Sequence, residues 1–191
     1  MNSRREIVAI PIKNFDAAKS RLSPVLARGD VSKLARSLAV GVIQACSPRT
    51  CAVLCDDDDV ERFARDMDVR VVRVSAGGLN DAVSDGYKIL GHDYEDIIVA
   101  HGDLAHPSGL GNFEFDFRIA NDITLVTDRH GDGTNVLALP SGLDFNFGYG
   151  PHSAQRHQRE AERLGLRISI MTDSPWGLDI DTPEDFQELA K

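Results

Sequence analysis

Ile7-Val8-Ala9-Ile10-Pro11-Ile12 runs directly into Lys13-Asn14-Phe15-Asp16-Ala17-Ala18-Lys19-Ser20-Arg21-Leu22. The first six residues are an unbroken apolar run of strand length. Such a run reads as a strand buried on both faces, as in sheets covered by helices on either side. The segment after it carries Lys13, Lys19 and Arg21 within nine residues of sequence, immediately downstream of the strand end. That placement suits side chains gripping a polyphosphate; a solvated loop with scattered cations fits the same residues. The Gly-x-x-x-x-Gly-Lys pattern of a P-loop is absent, and so is a dinucleotide fingerprint.

Outward from this strand, strand-length apolar runs alternate with helix-period segments. Val31, Leu34, Ala35, Leu38, Val42 and Ile43 follow helical spacing, with Asp30 as a candidate N-cap. Ala52 to Cys55 reads as a strand, Val60 to Met67 as a short helix, and Val69 to Val74 as a third strand. Asn80 to Leu90 is a helix and Asp96 to Ala100 a fourth strand. Ile123 to Val126, Val136 to Leu139 and Leu166 to Met171 complete the strands, and Ser153 to Leu164 the larger helices. The rhythm predicts an α/β fold, a mostly parallel central sheet with helices on both faces. No linker or repeat interrupts it, so residues 1–191 read as one domain.

The 191 residues carry a net charge of −9, which argues against a nucleic-acid-coating surface. No apolar run approaches the roughly 18 residues of a membrane span, and the N-terminus lacks a signal-peptide core. A cytoplasmic location, with no nucleic-acid or membrane partner, is the expectation. Cys46, Cys51 and Cys55 match neither a C-x-x-C nor a zinc spacing, and read as ordinary, partly buried thiols.

In open α/β sheets ligands bind beyond the carboxyl ends of the strands. Three further segments therefore draw notice. His101-Gly102-Asp103-Leu104 follows the fourth strand: Asp103 is a candidate metal ligand or a turn residue, and His101 and His106 offer ligand atoms but read rather as solvated. Leu178-Asp179-Ile180-Asp181 reads as a short strand whose alternation puts both carboxylates on one face. Thr182-Pro183-Glu184-Asp185 then starts a helix, with Thr182 as N-cap, Pro183 at N1 and Asp185 completing a capping box. Hard oxygen ligands fixed by such a turn suit Mg²⁺ held against phosphates; aspartates that merely end a strand and lead into a cap fit the fragment alone as well.

Gly77 and Gly78 precede a helix whose backbone donors suit a nucleotide, and Asn80 suits a base, a ribose or the helix cap. Gly150 to Ser153 sits at another helix N-terminus, a natural anion site. Arg156, Arg159 and Arg163 share one face of that helix, which reads as solvated, and His157 beside them either meets a substrate carboxylate or packs. Asp56 to Asp59 reads as a helix N-terminus rather than a metal site.

A basic loop after the first strand, an acid after a mid-sheet strand and a late D-x-D follow the order of a Rossmann-like nucleotidyltransferase. The chain resembles the guanylyltransferases of coenzyme F-420 biosynthesis, which couple GTP to 2-phospho-L-lactate, phosphoenolpyruvate or 3-phosphoglycerate. The resemblance lies in Ile10 to Lys13, Ala18 to Leu22, Leu79-Asn80, Gly102 to Leu104 and Asp132 to Asn135. It continues in Tyr149 to Pro151, Ser153, His157 and Leu178 to Asp185.

The resemblance implies that Asp103, Asp179 and Asp181 bind Mg²⁺ and that Lys13, Lys19 and Arg21 meet GTP phosphates. It also implies that Thr134, Gly150 and Ser153, with His157, form the acid-substrate site, and that the protein is a homodimer. Two positions depart from the family pattern: Ala105-His106 replaces proline after Gly-Asp-Leu, and Ala154 replaces an aromatic residue. Both bear on the acceptor pocket. A nucleotidyltransferase acting on a sugar phosphate or pterin cofactor is the alternative. A D-x-D-T phosphatase is disfavoured because its nucleophile belongs near a domain start, and a non-catalytic nucleotide-binding paralogue because the acids and basic loop are intact.

Overall fold

The computed structural model describes residues 5–16, 18–75, 77–113 and 122–189. Seven strands form one sheet: β1 (Glu6–Pro11), β2 (Thr50–Cys55), β3 (Arg70–Arg73), β4 (Asp96–Ala100), β5 (Asp122–Thr127), β6 (Thr134–Pro140) and β7 (Arg167–Met171). Five α-helices accompany them: α1 (Arg28–Ala45), α2 (Asp58–Asp66), α3 (Leu79–Leu90), α4 (Ser153–Arg163) and α5 (Pro183–Glu188). The strand order is β3-β2-β1-β4-β6-β5-β7.

Strand alternation divides the core into two layers. Val8, Ile10, Val53 and Ile98 point to the face covered by α1 and α2, where Ala39, Val42, Val60 and Ala64 meet them. Ile7, Ala9, Leu54 and Ile97 point to the opposite face, against Val83, Tyr87 and Leu90 of α3 and Ala161 of α4. β1, in the interior of the sheet between β2 and β4, therefore has no polar residue between Ile7 and Ile10, all of them buried.

β1 pairs in parallel with β2 and β4, β2 with β3, and β5 with β7. β6 runs antiparallel to both of its neighbours. The short β5–β6 connection explains this reversal, because a tight hairpin can only join antiparallel strands. The expected mostly parallel sheet is present, with this single reversed strand.

Two local expectations are corrected. Asp30 is not the cap of α1: the N-cap is Ala27, which makes no side-chain cap bond. Asp30 sits inside the first turn, where an acid still complements the helix dipole, and its carboxylate pairs with Lys33 at 3.1 Å. The Leu178–Asp181 segment is not a strand of the sheet but a single antiparallel bridge, Leu104↔Asp179. The Ala105 N–H donates to the Leu178 carbonyl (2.8 Å), and the Ile180 N–H to the Asp103 carbonyl (3.2 Å). No further pairing follows because α5 begins at once: Thr182 caps it, Pro183 opens it and Asp185 closes the capping box, as expected.

The three cysteines are free thiols. Among the described residues, no helix is long and apolar enough to cross a membrane.

α3 packs closely on β2 at Gly86, where an added Cβ would lie 2.4 Å from Leu54 Cδ1. Gly86→Ala therefore overpacks the α3–β2 contact, with an expected loss of about 1–3 kcal/mol. Urea unfolding of the two proteins measures it; an unchanged midpoint would refute the contact.

Candidate functional site

The carboxyl ends of β1 and β4 open into a cleft of about 620 Å³. Lys13 and Lys19 reach it from the β1 loop, Gly78 from the start of α3, Asp103 from beyond β4, and Asp179 and Asp181 from the bridge. Residues separated by more than 160 positions of sequence thus share one wall.

The Lys19 ammonium is the knot of this wall. It donates to Asp103 Oδ2 (2.6 Å) and to the Ile180 carbonyl, and lies 3.7 Å from Asp181 Oδ1. Its side chain is only 4% exposed, so these contacts replace nearly all its water. Its backbone is held at φ +56°, a left-handed conformation unfavourable for a residue with a Cβ. The chain tolerates that strain to aim the ammonium inward. Arg21 is exposed and reaches Asp181 Oδ2 at 3.6 Å.

Burial pushes the Asp103 carboxyl up, but the charges of Lys19 and His101, with the hydrogen bonds that the carboxylate accepts, together outweigh this and hold it below the ordinary carboxylate range. Asp179 moves the other way: burial, then the Asp103 charge, raises it. Asn135 Nδ2 donates to the Trp176 carbonyl (2.9 Å) and to Asp179 Oδ1 (3.3 Å), which orients that carboxylate.

Two residues here were not assigned a role from the sequence. One is Asn135. The other is His101, expected to be solvated: one of its ring nitrogens lies within 4.8 Å of carboxylate oxygens of both Asp103 and Asp179. Its signal was available, since His101 and Asp103 are two residues apart and strand alternation carries both to one side. His106 is exposed, as expected.

The nucleotide-side glycines differ from one another. Gly78 is the N-cap of α3 at φ +113°, a conformation that only glycine adopts freely. Gly77 is covered by the Asp81 carboxylate, 2.1 Å from where a Cβ would stand, and Ala76 lies outside the described residues. Asn80 is not the cap: its Oδ1 accepts from the Tyr149 N–H (2.6 Å) and its Nδ2 donates to the Tyr149 carbonyl (3.3 Å). Both ends of its amide are thereby committed to pinning the loop before α4. The acidic run behaves as expected, with Asp57 capping α2 through the N–H groups of Asp59 and Val60.

Thr134, Gly150, Ser153 and His157 do not line the cleft but stand behind it. Their neighbours Asn135 and Tyr149 touch Asp179 and His101, so they support the same wall. His157 is fully buried. Its Nε2 accepts from the Gly148 N–H (2.9 Å), so its proton sits on Nδ1, which donates to Thr134 Oγ1 (3.0 Å). The imidazole therefore packs as a strut with no nitrogen left for a substrate. At the start of α4, the Ser153 N–H donates to the Gly150 carbonyl and the Ala154 N–H to the Asp132 carbonyl. The Asp132 carboxylate receives the His152 N–H (2.9 Å), so this helix end is largely satisfied by the chain itself. The Arg156, Arg159 and Arg163 face is exposed, as expected.

Comparison with known proteins follows the same lines. Residues 6–190 match the family described as "Guanylyl transferase CofC like". A phosphoenolpyruvate guanylyltransferase of Conexibacter woesei is 33% identical, covering 95% of this chain and 86% of the relative. A 3-phospho-D-glycerate guanylyltransferase of Phenylobacterium zucineum is 29% identical, covering 91% and 84%. Among solved structures, a nucleotidyl transferase from Methanothermobacter superposes with a TM-score of 0.66 at 15% identity, over 98% of this chain and 96% of the other; at that identity the likeness is one of fold.

The buried imidazole gives the wall a pH dependence. Burial, then the Arg156 charge, lowers His157 from 6.5 to about 4. Protonation therefore favours the unfolded chain, and stability falls as pH drops through the window from 6.5 to 4. The expected loss between pH 7 and pH 4.5 is roughly 2–3 kcal/mol. Urea titrations across this range should show it in the wild type and a flatter profile in His157→Gln. Equal slopes would contradict the neutral-strut role.

Proposed function

The chain belongs to the CofC-like guanylyl transferase family, and from that premise we propose that it transfers GMP from GTP to a small phosphorylated three-carbon acid, releasing pyrophosphate. The acid is phosphoenolpyruvate, 2-phospho-L-lactate or 3-phosphoglycerate, and the place of the reaction is coenzyme F-420 biosynthesis in the cytoplasm. The observation that carries the reading is the convergence of the Asp103 and Asp179 carboxylates with Lys19 in one cleft at the strand ends. Relatives of similar identity bear the names of three different acids, so the acceptor is left as a set.

The chemistry asks little proton transfer of the protein. A phosphate monoester is already an anionic nucleophile at neutral pH, so no general base is needed. This fits a site with no Ser-His-Asp or Cys-His arrangement among the described residues and a His157 held neutral by Gly148 and Thr134. Catalysis then rests on positioning and on charge neutralisation.

Lys13, Lys19 and Arg21 hold the triphosphate and offset the charge that builds on departing pyrophosphate. Gly78 lets the backbone at the start of α3 approach the nucleotide, with Gly77 shaping the turn. Asn80 acts on the GTP site through Tyr149, whose backbone it holds. Thr134, Gly150, Ser153 and His157 shape the acceptor side from behind Asn135 and Tyr149.

The donor set fits Mg²⁺: Asp103 and Asp179 bring hard oxygens within 4.8 Å of one another, and Asp181 stands at the rim. When bound, the ion supplies neutralisation and alignment of the α-phosphate for in-line displacement. The homodimer implied by the family resemblance belongs to the same proposal, and sedimentation of the purified protein tests it.

Pyrophosphate release measured for GTP and ATP against each of the three acids tests the activity. Release is expected only with GTP, one of the acids and a divalent cation, Mg²⁺ or one that replaces it, together. Silence across the matrix would refute the assignment. A second expectation concerns Asp181→Asn, which should lower turnover by about 10²-fold or more while the thermal unfolding profile stays within a few degrees of the wild type. Near-normal turnover would remove Asp181 from the metal site.

A further inference from the structure

His101 follows the last residue of β4 and is not the solvated histidine that its loop position suggests. Its main-chain N–H donates to the Asn135 carbonyl at 3.0 Å, which continues the β4–β6 ladder by one bond. Its ring lies against Tyr149, with centroids 5.5 Å apart. The Nε2 atom is shielded from solvent and has no hydrogen-bond partner among the described residues. Buried ring nitrogens are rarely left without a partner. One ring nitrogen of His101 lies within 4.8 Å of a carboxylate oxygen of both Asp103 and Asp179. The backbone dictates this gathering: His101 and Asp103 are two residues apart beyond β4, and the Leu104↔Asp179 bridge brings the second carboxylate alongside.

An imidazole and two carboxylates form a different ligand set from carboxylates alone. Mg²⁺ favours oxygen and gains little from imidazole, whereas Mn²⁺, Co²⁺ and Zn²⁺ bind nitrogen well. We propose that His101 is a further protein ligand, beside the carboxylates, of the metal held by Asp103 and Asp179, and that the site therefore binds Mn²⁺ in preference to Mg²⁺. The inference rests on the reading of the two aspartates as metal ligands. Mg²⁺ still enters through its oxygens, but it forgoes the nitrogen. The Tyr149 ring restrains the imidazole on one side, so the ligand is positioned before the ion arrives.

The test uses the full chain, stripped of metal and loaded with Mn²⁺ alone. Pulsed electron paramagnetic resonance is expected to detect ¹⁴N modulation from a coordinated imidazole, replaced by the ¹⁵N pattern in protein grown on ¹⁵N-histidine. In His101→Asn the modulation should vanish, and the Mn²⁺-over-Mg²⁺ affinity ratio from competition titration should fall at least about tenfold. Asp179→Asn should weaken both ions. Bound Mn²⁺ without nitrogen modulation, or an unchanged ratio in His101→Asn, would overturn the role of His101 while leaving the carboxylate site standing. A wild-type chain that binds neither ion would overturn both readings. The isotope-labelled wild type decides the question even if the variants fail to fold.

Discussion

The Lys19 ammonium ties three distant parts of the chain into one site. It binds Asp103 beyond β4 and the Ile180 carbonyl in the C-terminal bridge, and it stands close to Asp181. An ammonium this buried needs partners for its charge and its donors. The carboxylates, in turn, crowd one another without a cation: Asp179 is raised partly by the Asp103 charge. Lys19 therefore offsets part of the wall's negative charge with a side chain that also faces the cleft. The strained φ of Lys19 is a local cost offset by these contacts.

Behind the wall lies a layer that does no chemistry but holds the chemistry in place. Phe145, Phe147, Tyr149 and His157 pack edge to face and stacked within the core on the α3–α4 side of the sheet. Asn80 clamps the Tyr149 backbone, Gly148 fixes the His157 tautomer, and Asn135 orients Asp179. Each bond satisfies a buried polar group whose desolvation would otherwise oppose folding. A site built by neutral struts around a charged front keeps its geometry when the charges change partners.

Much of this was legible in the residues. The run from Ile7 to Ile12 marks a buried interior strand because burial on both faces leaves no room for polar alternation. Thr182-Pro183-Glu184-Asp185 marked its helix start because capping is local chemistry. Asp57 was identified as part of a helix N-terminus for the same reason. The reversal of β6 was not legible, since strand polarity depends on which neighbour the chain returns to. The roles of Asn80 and His157 were not either: each has a polar side chain that suits a ligand or an internal bond equally, and only the position of the loop from Gly148 to Gly150 decides between them. Sequence alone leaves His101 open between a ligand and a solvated side chain and favours the latter, because a histidine in a loop is usually exposed; the β4–β6 ladder and Tyr149 close around it.

The sequence by itself determined what is local or periodic: an α/β alternation, helix caps, a basic loop after the first strand, and an alternating pair of carboxylates near the end. Hydrogen-bond periodicity and capping act over a few residues, so a few residues suffice to read them. Only the tertiary structure decided that the Asp179 segment is a single bridge to Leu104 rather than a strand of the sheet. It also decided that Lys19, Asp103 and His101 share one wall with Asp179, and that His157 supports this wall from behind. Those outcomes depend on contacts between segments far apart in the chain, where burial and charge compensation, not neighbouring residues, select the partner.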